Sequence, residues 1–314
     1  MKKELLFISL FSLISGLVSA QQVLNMSLYH KNKYYFNPGV AGTEEYMPVS
    51  IDVRKQWAGF NGSPLTQTMS THANVGSNFG VGGWFDNQVS GPSRRTAFSL
   101  SMAYRLNLKA PKGSDYRFIS FGLGGSFSQH KFEVSKMTTY DQEDLTTIVN
   151  NINYEIIPDA NFGIYYKEGD KIFVGLSVNN LIQSRVDDYN VDNVVNNGYV
   201  RQYYLMGGAT FELGKSKTWD FTPSALAQLI EAGSYQVEVN TKFSYRKTFW
   251  FAPGYRLNEA AILQVGYDHD FIEFAYSYDY VINEMRNYTG GSHEVTLRMK
   301  LMTNNKKMKL TPKK

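Results

Sequence analysis

The chain is 314 residues long, 43% hydrophobic and 15% aromatic, with 26 glycines, 22 tyrosines, 20 phenylalanines and no cysteine. The absence of cysteine excludes a disulfide framework, a thiolate zinc site, covalent c-type haem and a thiol nucleophile, while a mean hydropathy of -0.33 excludes a stack of apolar helices and the aromatic content excludes a disordered chain. The net charge of +4 is local: Arg298, Lys300, Lys306, Lys307, Lys309, Lys313 and Lys314 crowd the C-terminus without an acid, so the body is net negative and offers no broad basic face to nucleic acid.

At the N-terminus Lys2 and Lys3 precede an apolar run, Leu5 to Val18, and a small-residue site, Val18-Ser19-Ala20. This is the pattern of a secretory signal peptide over 1–20, too short for a comfortable membrane helix. Past Ala20 no window approaches the roughly 18 continuous apolar residues of a spanning helix, so entry into a bilayer would require a strand barrel. Residues 21–46 are expected as an N-terminal periplasmic or plug segment, 47–302 as the barrel, and 303–314 as a basic tail. That tail is either solvated or docked on an acidic partner or lipid headgroups.

From Val49 onward the dominant period is two. In Ala97–Leu108, Phe98, Leu100, Met102, Tyr104, Leu106 and Leu108 alternate with Ser99, Ser101, Ala103, Arg105 and Asn107. Tyr235–Arg246 and Ser292–Leu301 repeat the pattern, placing Glu238, Lys242, Arg246, Glu294, Arg298 and Lys300 on the polar face. Segments of about ten residues, apolar on one face and small or charged on the other, predict an all-β fold, a transmembrane antiparallel barrel of the bacterial outer membrane. About 14 strands are expected, near 49–56, 66–75, 79–87, 96–108, 117–129, 161–168, 171–178, 201–213, 220–230, 235–246, 248–256, 261–268, 271–281 and 292–302. Thr222-Pro223-Ser224 interrupts the ninth. With both termini in the periplasm, the long gaps 130–160 and 179–200 fall outside and most periplasmic turns are short, as such barrels require. Trp57, Trp84, Trp219 and Trp250, with Tyr203, Tyr235 and Tyr255, are expected as girdle residues at the membrane interface.

Five stretches exceed barrel grammar: Tyr35-Phe36-Asn37-Pro38-Gly39-Val40-Ala41-Gly42-Thr43; Arg54-Lys55-Gln56-Trp57-Ala58-Gly59-Phe60 followed by Gly62-Ser63-Pro64-Leu65-Thr66-Gln67-Thr68; Pro158-Asp159 with Phe162–Tyr166; Gly175–Leu181; and Tyr276-Ser277-Tyr278-Asp279-Tyr280 with Gly290-Gly291-Ser292-His293-Glu294. In this order they resemble the PorP/SprF family of type IX secretion membrane proteins, over nearly the whole exported chain. The resemblance implies an outer-membrane barrel that works with type IX components and with secreted or surface-anchored cargo, including gliding adhesins, and binds partners rather than catalysing a reaction. The chain departs from an ideal outer-membrane ending, because a Lys-rich extension replaces a terminal aromatic.

Two functions stand at this point: a secretion component, or a passive porin or hydrophobic-ligand transport barrel. Arg54, Gln56, Trp57, Gly62, Pro64, Thr66 and Gln67 are the expected partner-binding residues, since an Arg beside a Trp supplies a cation–π and hydrogen-bonding anchor; the other reading is an interface girdle plus a register-fixing turn. Asn37, Pro38, Gly42, Tyr278, Asp279, Gly291, Ser292, His293 and Glu294 are expected as structural motif residues. No catalytic, cofactor or metal constellation is expected. Ser292 and His293 are strand neighbours on opposite faces, His30, His72, His130 and His269 lack metal spacing and read as solvated or interface residues, and Asp86, Asp141, Glu143, Asp144, Asp187, Asp188 and Asp192 read as solvated loop acids.

Overall fold

A computed structural model describes residues 25–133, 156–183, 200–214, 216, 218–231 and 233–301, with the backbone of 152–153. The expected leader, the basic tail and most of the two longest loops, with Asp141, Glu143, Asp144, Asp187, Asp188 and Asp192, lie outside the described residues. Fourteen strands follow one another: β1 Met47–Lys55, β2 Leu65–Asn74, β3 Phe79–Ser90, β4 Ser93–Asn107, β5 Arg117–Phe132, β6 Ile157–Glu168, β7 Ile172–Asn179, β8 in two pieces (Gln202–Ala209 and Phe211–Leu213), β9 Trp219–Ile230, β10 Tyr235–Tyr245, β11 Phe249–Arg256, β12 Ala260–Asp268, β13 Ile272–Val281 and β14 Ser292–Leu301. A short ladder, Ile152–Asn153, adds to the end of β5.

Each strand pairs antiparallel with the next, and β14 returns to β1 in a register that sets Met47 opposite Leu301 and Val53 opposite Val295. The sheet therefore closes, which leaves no unpaired edge and makes strands tolerable in hydrocarbon. No helix among the described residues is long and apolar enough to cross a membrane; the strands alone cross it. The β3–β4 turn is only Gly91-Pro92, so both strands run beyond their predicted limits. Pro223 sits inside an unbroken β9. Having no N–H, it weakens the ladder instead on β8, which lapses at Thr210, whose hydroxyl lies 3.0 Å from that of Thr222.

The period-two face assignment holds. Leu100 and Met102 are 67% and 63% exposed on the outer wall, where lipid covers them, whereas Ser99 and Ser120 point in and are buried. Leu100→Arg should destabilise the barrel by about 2–4 kcal/mol, since Leu100 lies mid-strand on the lipid face. Urea titration of the protein folded in vesicles measures this.

The interior is not empty. Residues 25–46 pass through it, with one helical turn at Lys33–Phe36 and a 3-10 turn at Pro38–Val40. Every core cluster joins this segment to the wall: Met26, Tyr29, Tyr35 and Phe36 with Tyr204, Met206 and Leu226; Tyr34, Val40 and Ala41 with Ala103, Phe118 and Tyr165; Leu28 with Trp250, Ala252 and Ala275. Burial of apolar surface thus holds the segment inside a wall whose own apolar face looks outward.

This filling corrects several expectations. Trp84 and Trp250 are not girdle residues: they face inward, Trp84 against Tyr35 at 5.0 Å between ring centroids and Trp250 against His30 at 5.3 Å. Trp219 does lie exposed at a strand end. His30 and His72 are not solvated; His30 packs on Trp250 and His72 Nδ1 accepts the Gly42 N–H at 3.2 Å. Asp86 is no loop acid but a buried lumen residue bonded by Arg95 at 2.9 Å and by the Tyr35 hydroxyl. Arg246 lies in the β10–β11 turn, over the Tyr245 ring, rather than on the lumen wall.

Candidate functional site

Two ends of the barrel differ. The start of β1 and the end of β14 mark a terminal end with short turns; the opposite end carries the longest connections, between β5 and β6 and between β7 and β8. Three features of the lumen and loop end form the candidate site.

The first is the seat of Asn37–Gly42. The Asn37 carboxamide accepts the Gly39 N–H at 2.8 Å and donates to the carbonyls of Ile164 on β6 and Leu176 on β7, at 3.0 and 3.3 Å. Pro38 starts the tight turn, its fixed φ suited to that position. The wall makes room by having glycines there. A Cβ on Gly122 would stand 2.2 Å from the Pro38 carbonyl carbon, one on Gly163 2.0 Å from Asn37 Oδ1, and one on Gly80 2.1 Å from the Ala41 oxygen. Arg105 closes the seat by donating to the Gly42 carbonyl at 2.8 Å. The Asn-Pro…Ala-Gly motif and the wall glycines are two halves of one contact.

The second feature is a buried ionic cluster near the loop end. Arg54, 2% exposed, donates to Asp279 at 2.7 Å, and to Glu294 and Ser27 Oγ, both at 3.0 Å. Arg256 donates to Glu238 at 2.6 Å, Asp279 at 2.9 Å and Ser27 Oγ at 2.6 Å. The Ser27 and Leu28 N–H groups are received by Glu294 at 2.8 and 3.1 Å. Four strands thus converge on Ser27. Charges buried this deeply are tolerable only because each is paired and hydrogen-bonded. The same parity that turns Ile51 and Val53 to lipid turns Arg54 inward, so it is not a surface anchor: its guanidinium is committed to the lumen.

The third feature is a cavity of about 530 Å³ at the loop end, lined by Gln56, Trp57, Pro64, Thr66, Tyr235 and Glu259 among others. Of the residues expected to bind partners, these first four come together here. Trp57 holds a positive φ of 51° and donates its N–H to Ser292 Oγ at 3.1 Å. Gly62 lies in the β1–β2 loop, exposed, beside Gly91. Gln67 is separate, facing outward on β2 and accepting from Asn87 at 3.2 Å. Of the motif residues, Asp279, Ser292 and Glu294 enter the lumen. Tyr278 and His293 stay on the outer face with rings 5.2 Å apart, and the Tyr278 hydroxyl donates to Gly290 O at 3.0 Å, bracing the turn at Gly291. The opposed Ser292 and His293 make no nucleophile–base pair.

Sequence reading missed Ser27, Arg256 and Glu238. Glu238 was assigned inward, but nothing local marks Ser27, 229 positions from Arg256. The family model described as type IX secretion system membrane protein PorP/SprF matches residues 18–299. The chain belongs to this family. Its seated Asn-Pro…Ala-Gly element and its Asp279 and Glu294 therefore lie within a PorP/SprF protein whose fold is an outer-membrane-type barrel. No curated relative matches at a significant level. Among solved structures, the PorP/SprF chain is similar to a FadL homologue of Pseudomonas aeruginosa, 9% identical, with 84% of this chain and 92% of that one covered and a TM-score of 0.43. It is also similar to the KdgM porin, 9% identical over 81% and 99% with a TM-score of 0.37, and to the translocator domain of the autotransporter NalP from Neisseria meningitidis, 9% identical over 87% and 94%, also at 0.37.

Proposed function

We propose that this PorP/SprF barrel is a sealed docking component of the type IX secretion machinery, set in the outer membrane with its loop end outward. It binds machinery and cargo proteins to support their export or surface attachment, gliding adhesins included. The observation that carries this reading is the filled lumen: residues 25–46 are packed and hydrogen-bonded to β1, β6, β7, β13 and β14, which favours a docking body over an open passive porin. The loop-end cavity, with Gln56, Trp57, Pro64 and Thr66 on its wall, supplies the mixed apolar and polar rim on which partner contacts concentrate.

Purification from detergent-solubilised membranes with mass spectrometry of what accompanies the barrel tests the proposal. Type IX core proteins are expected in the preparation, and deletion of the gene is expected to remove at least one protein from the cell surface. A barrel that purifies alone, and whose deletion leaves the surface proteins unchanged, would overturn it.

A further inference from the structure

At the terminal end of the barrel a cavity of about 340 Å³ lies between the internal segment and the ends of β6, β7, β9, β10 and β13, a volume at the low end of the range for small-ligand sites. Its charges are unevenly satisfied. Lys31 holds Asp268 and Glu273, Lys167 holds Asp170 at 3.6 Å, and Arg298 holds Glu44 at 3.5 Å and Glu273 at 3.6 Å. Lys33 and Lys242 line the same cavity, half-buried, and neither ammonium pairs with an acid or makes a hydrogen bond among the described residues. Each is instead laid over an aromatic face, Lys33 Nζ 4.4 Å from the Phe173 ring centroid and Lys242 Nζ 5.6 Å from that of Trp250, which steadies a cation without neutralising it. Across the cavity Asp220 is 7% exposed, and its carboxylate receives no hydrogen bond among the described residues. Asp220 lies opposite Ser244 in the β9–β10 ladder, so it stands diagonal to Lys242, about 7–8 Å away, and the two do not pair.

We propose that this terminal-end cavity binds a carboxylate that carries a hydrogen-bond donor beside it, the chemistry of a peptide's carboxy end, with Lys33 and Lys242 donating to the carboxylate and Asp220 accepting the neighbouring N–H. Two half-buried ammonium groups call for an anion, since charge removed from water is tolerated only when it is paired. An ionised carboxylate can only accept, so Asp220 calls for a donor. One ligand with both groups a bond or two apart meets both demands across the gap between β9 and β10. Phosphate meets only the first: it is rich in acceptors, and its second charge would face Asp220 and the acids that Lys31 and Arg298 already hold. Tyr165 and Phe173 on the same wall offer apolar contact to a side chain next to the carboxylate. The site lies at the other end of the barrel from the proposed docking rim, and it takes from the docking proposal only that this end faces the periplasm.

Titration calorimetry on the purified wild-type barrel in detergent tests this, with an N-acetylated tripeptide ending in phenylalanine as the probe, its carboxamide twin, and inorganic phosphate. Saturable binding of the free carboxylate is expected, with the carboxamide weaker by about tenfold or more, as the loss of a charge-assisted contact implies, and with no displacement by phosphate. Lys33→Gln and Lys242→Gln should each weaken the carboxylate peptide by a similar factor, Lys242→Arg should restore most of its affinity, and Asp220→Ala should weaken both peptides. Lys131→Gln, near the loop end of β5, is the control and should match the wild type. The comparison of carboxylate with carboxamide needs no variant, so a substitution that fails to fold leaves the test intact. No binding of the carboxylate peptide, equal binding of its carboxamide, displacement by phosphate, or wild-type affinity in folded Lys33→Gln and Lys242→Gln would overturn the proposal. The measurement uses the barrel without partner proteins, so it can fail while the docking proposal stands, and a barrel that purifies alone would leave it untouched.

Discussion

Replacing Gly122 by alanine should unseat the internal segment while leaving the wall closed. The added Cβ would meet Pro38 and Gly39 backbone atoms at 2.2–2.4 Å, and backbone cannot swing aside as the tip of a long side chain does. Gly122 itself sits in a regular ladder with Ala103 and Gly163, so alanine suits its own strand. Overpacking typically costs about 1–3 kcal/mol, which lowers the equilibrium constant for seating by about fivefold to 150-fold. Limited trypsin digestion in detergent measures it: cleavage after Lys31 and Lys33 should quicken by that factor, against a wild type whose sites are shielded. Gly125→Ala is the control, because a Cβ there meets nothing within 4 Å; its digestion should match the wild type.

Arg54→Ala should be among the most destabilising single changes in the lumen. It takes the cation from Glu294 and one of two guanidinium partners from Asp279, which keeps Arg256, and both acids remain buried; removing one member of a buried ion pair costs about 3–5 kcal/mol. Thermal unfolding in detergent should show a clear fall in midpoint. Adding Asp279→Asn or Glu294→Gln should recover part of the loss, because the stranded charge goes with it. Arg54→Lys should fall between, since a single ammonium cannot reproduce the forked contact to both acids and Ser27. A surface anchor would behave differently: stability would not change, and only partner recovery would drop.

The barrel was legible because lipid and lumen impose opposite demands on successive residues, and a period of two survives in the sequence even where a proline interrupts it. β4 and β10 announce both faces unaided. Arg54 misled instead: beside Trp57 it looks like a partner anchor, whereas the parity that puts Ile51 and Val53 on lipid turns Asp52 and Arg54 inward. The seat of residues 25–46 was not legible. That segment has no repeat, and its partners lie in distant strands, as with Asn37 and Leu176 or Ser27 and Glu294. Wall glycines such as Gly122 read as small lumen residues, yet their reason is a backbone 2.2 Å from where a Cβ would be. Trp84 and Trp250 misled for the same cause: without knowledge of what fills the lumen, an aromatic near a strand end looks like a girdle.

Planar-bilayer conductance of the purified wild-type protein, with Gly122→Ala and Arg54→Ala beside it, tests the filled lumen most directly. The wild type should be electrically silent, and the two variants should open steps of current as the segment leaves its seat. A steady ohmic current through the unmodified barrel would contradict the account.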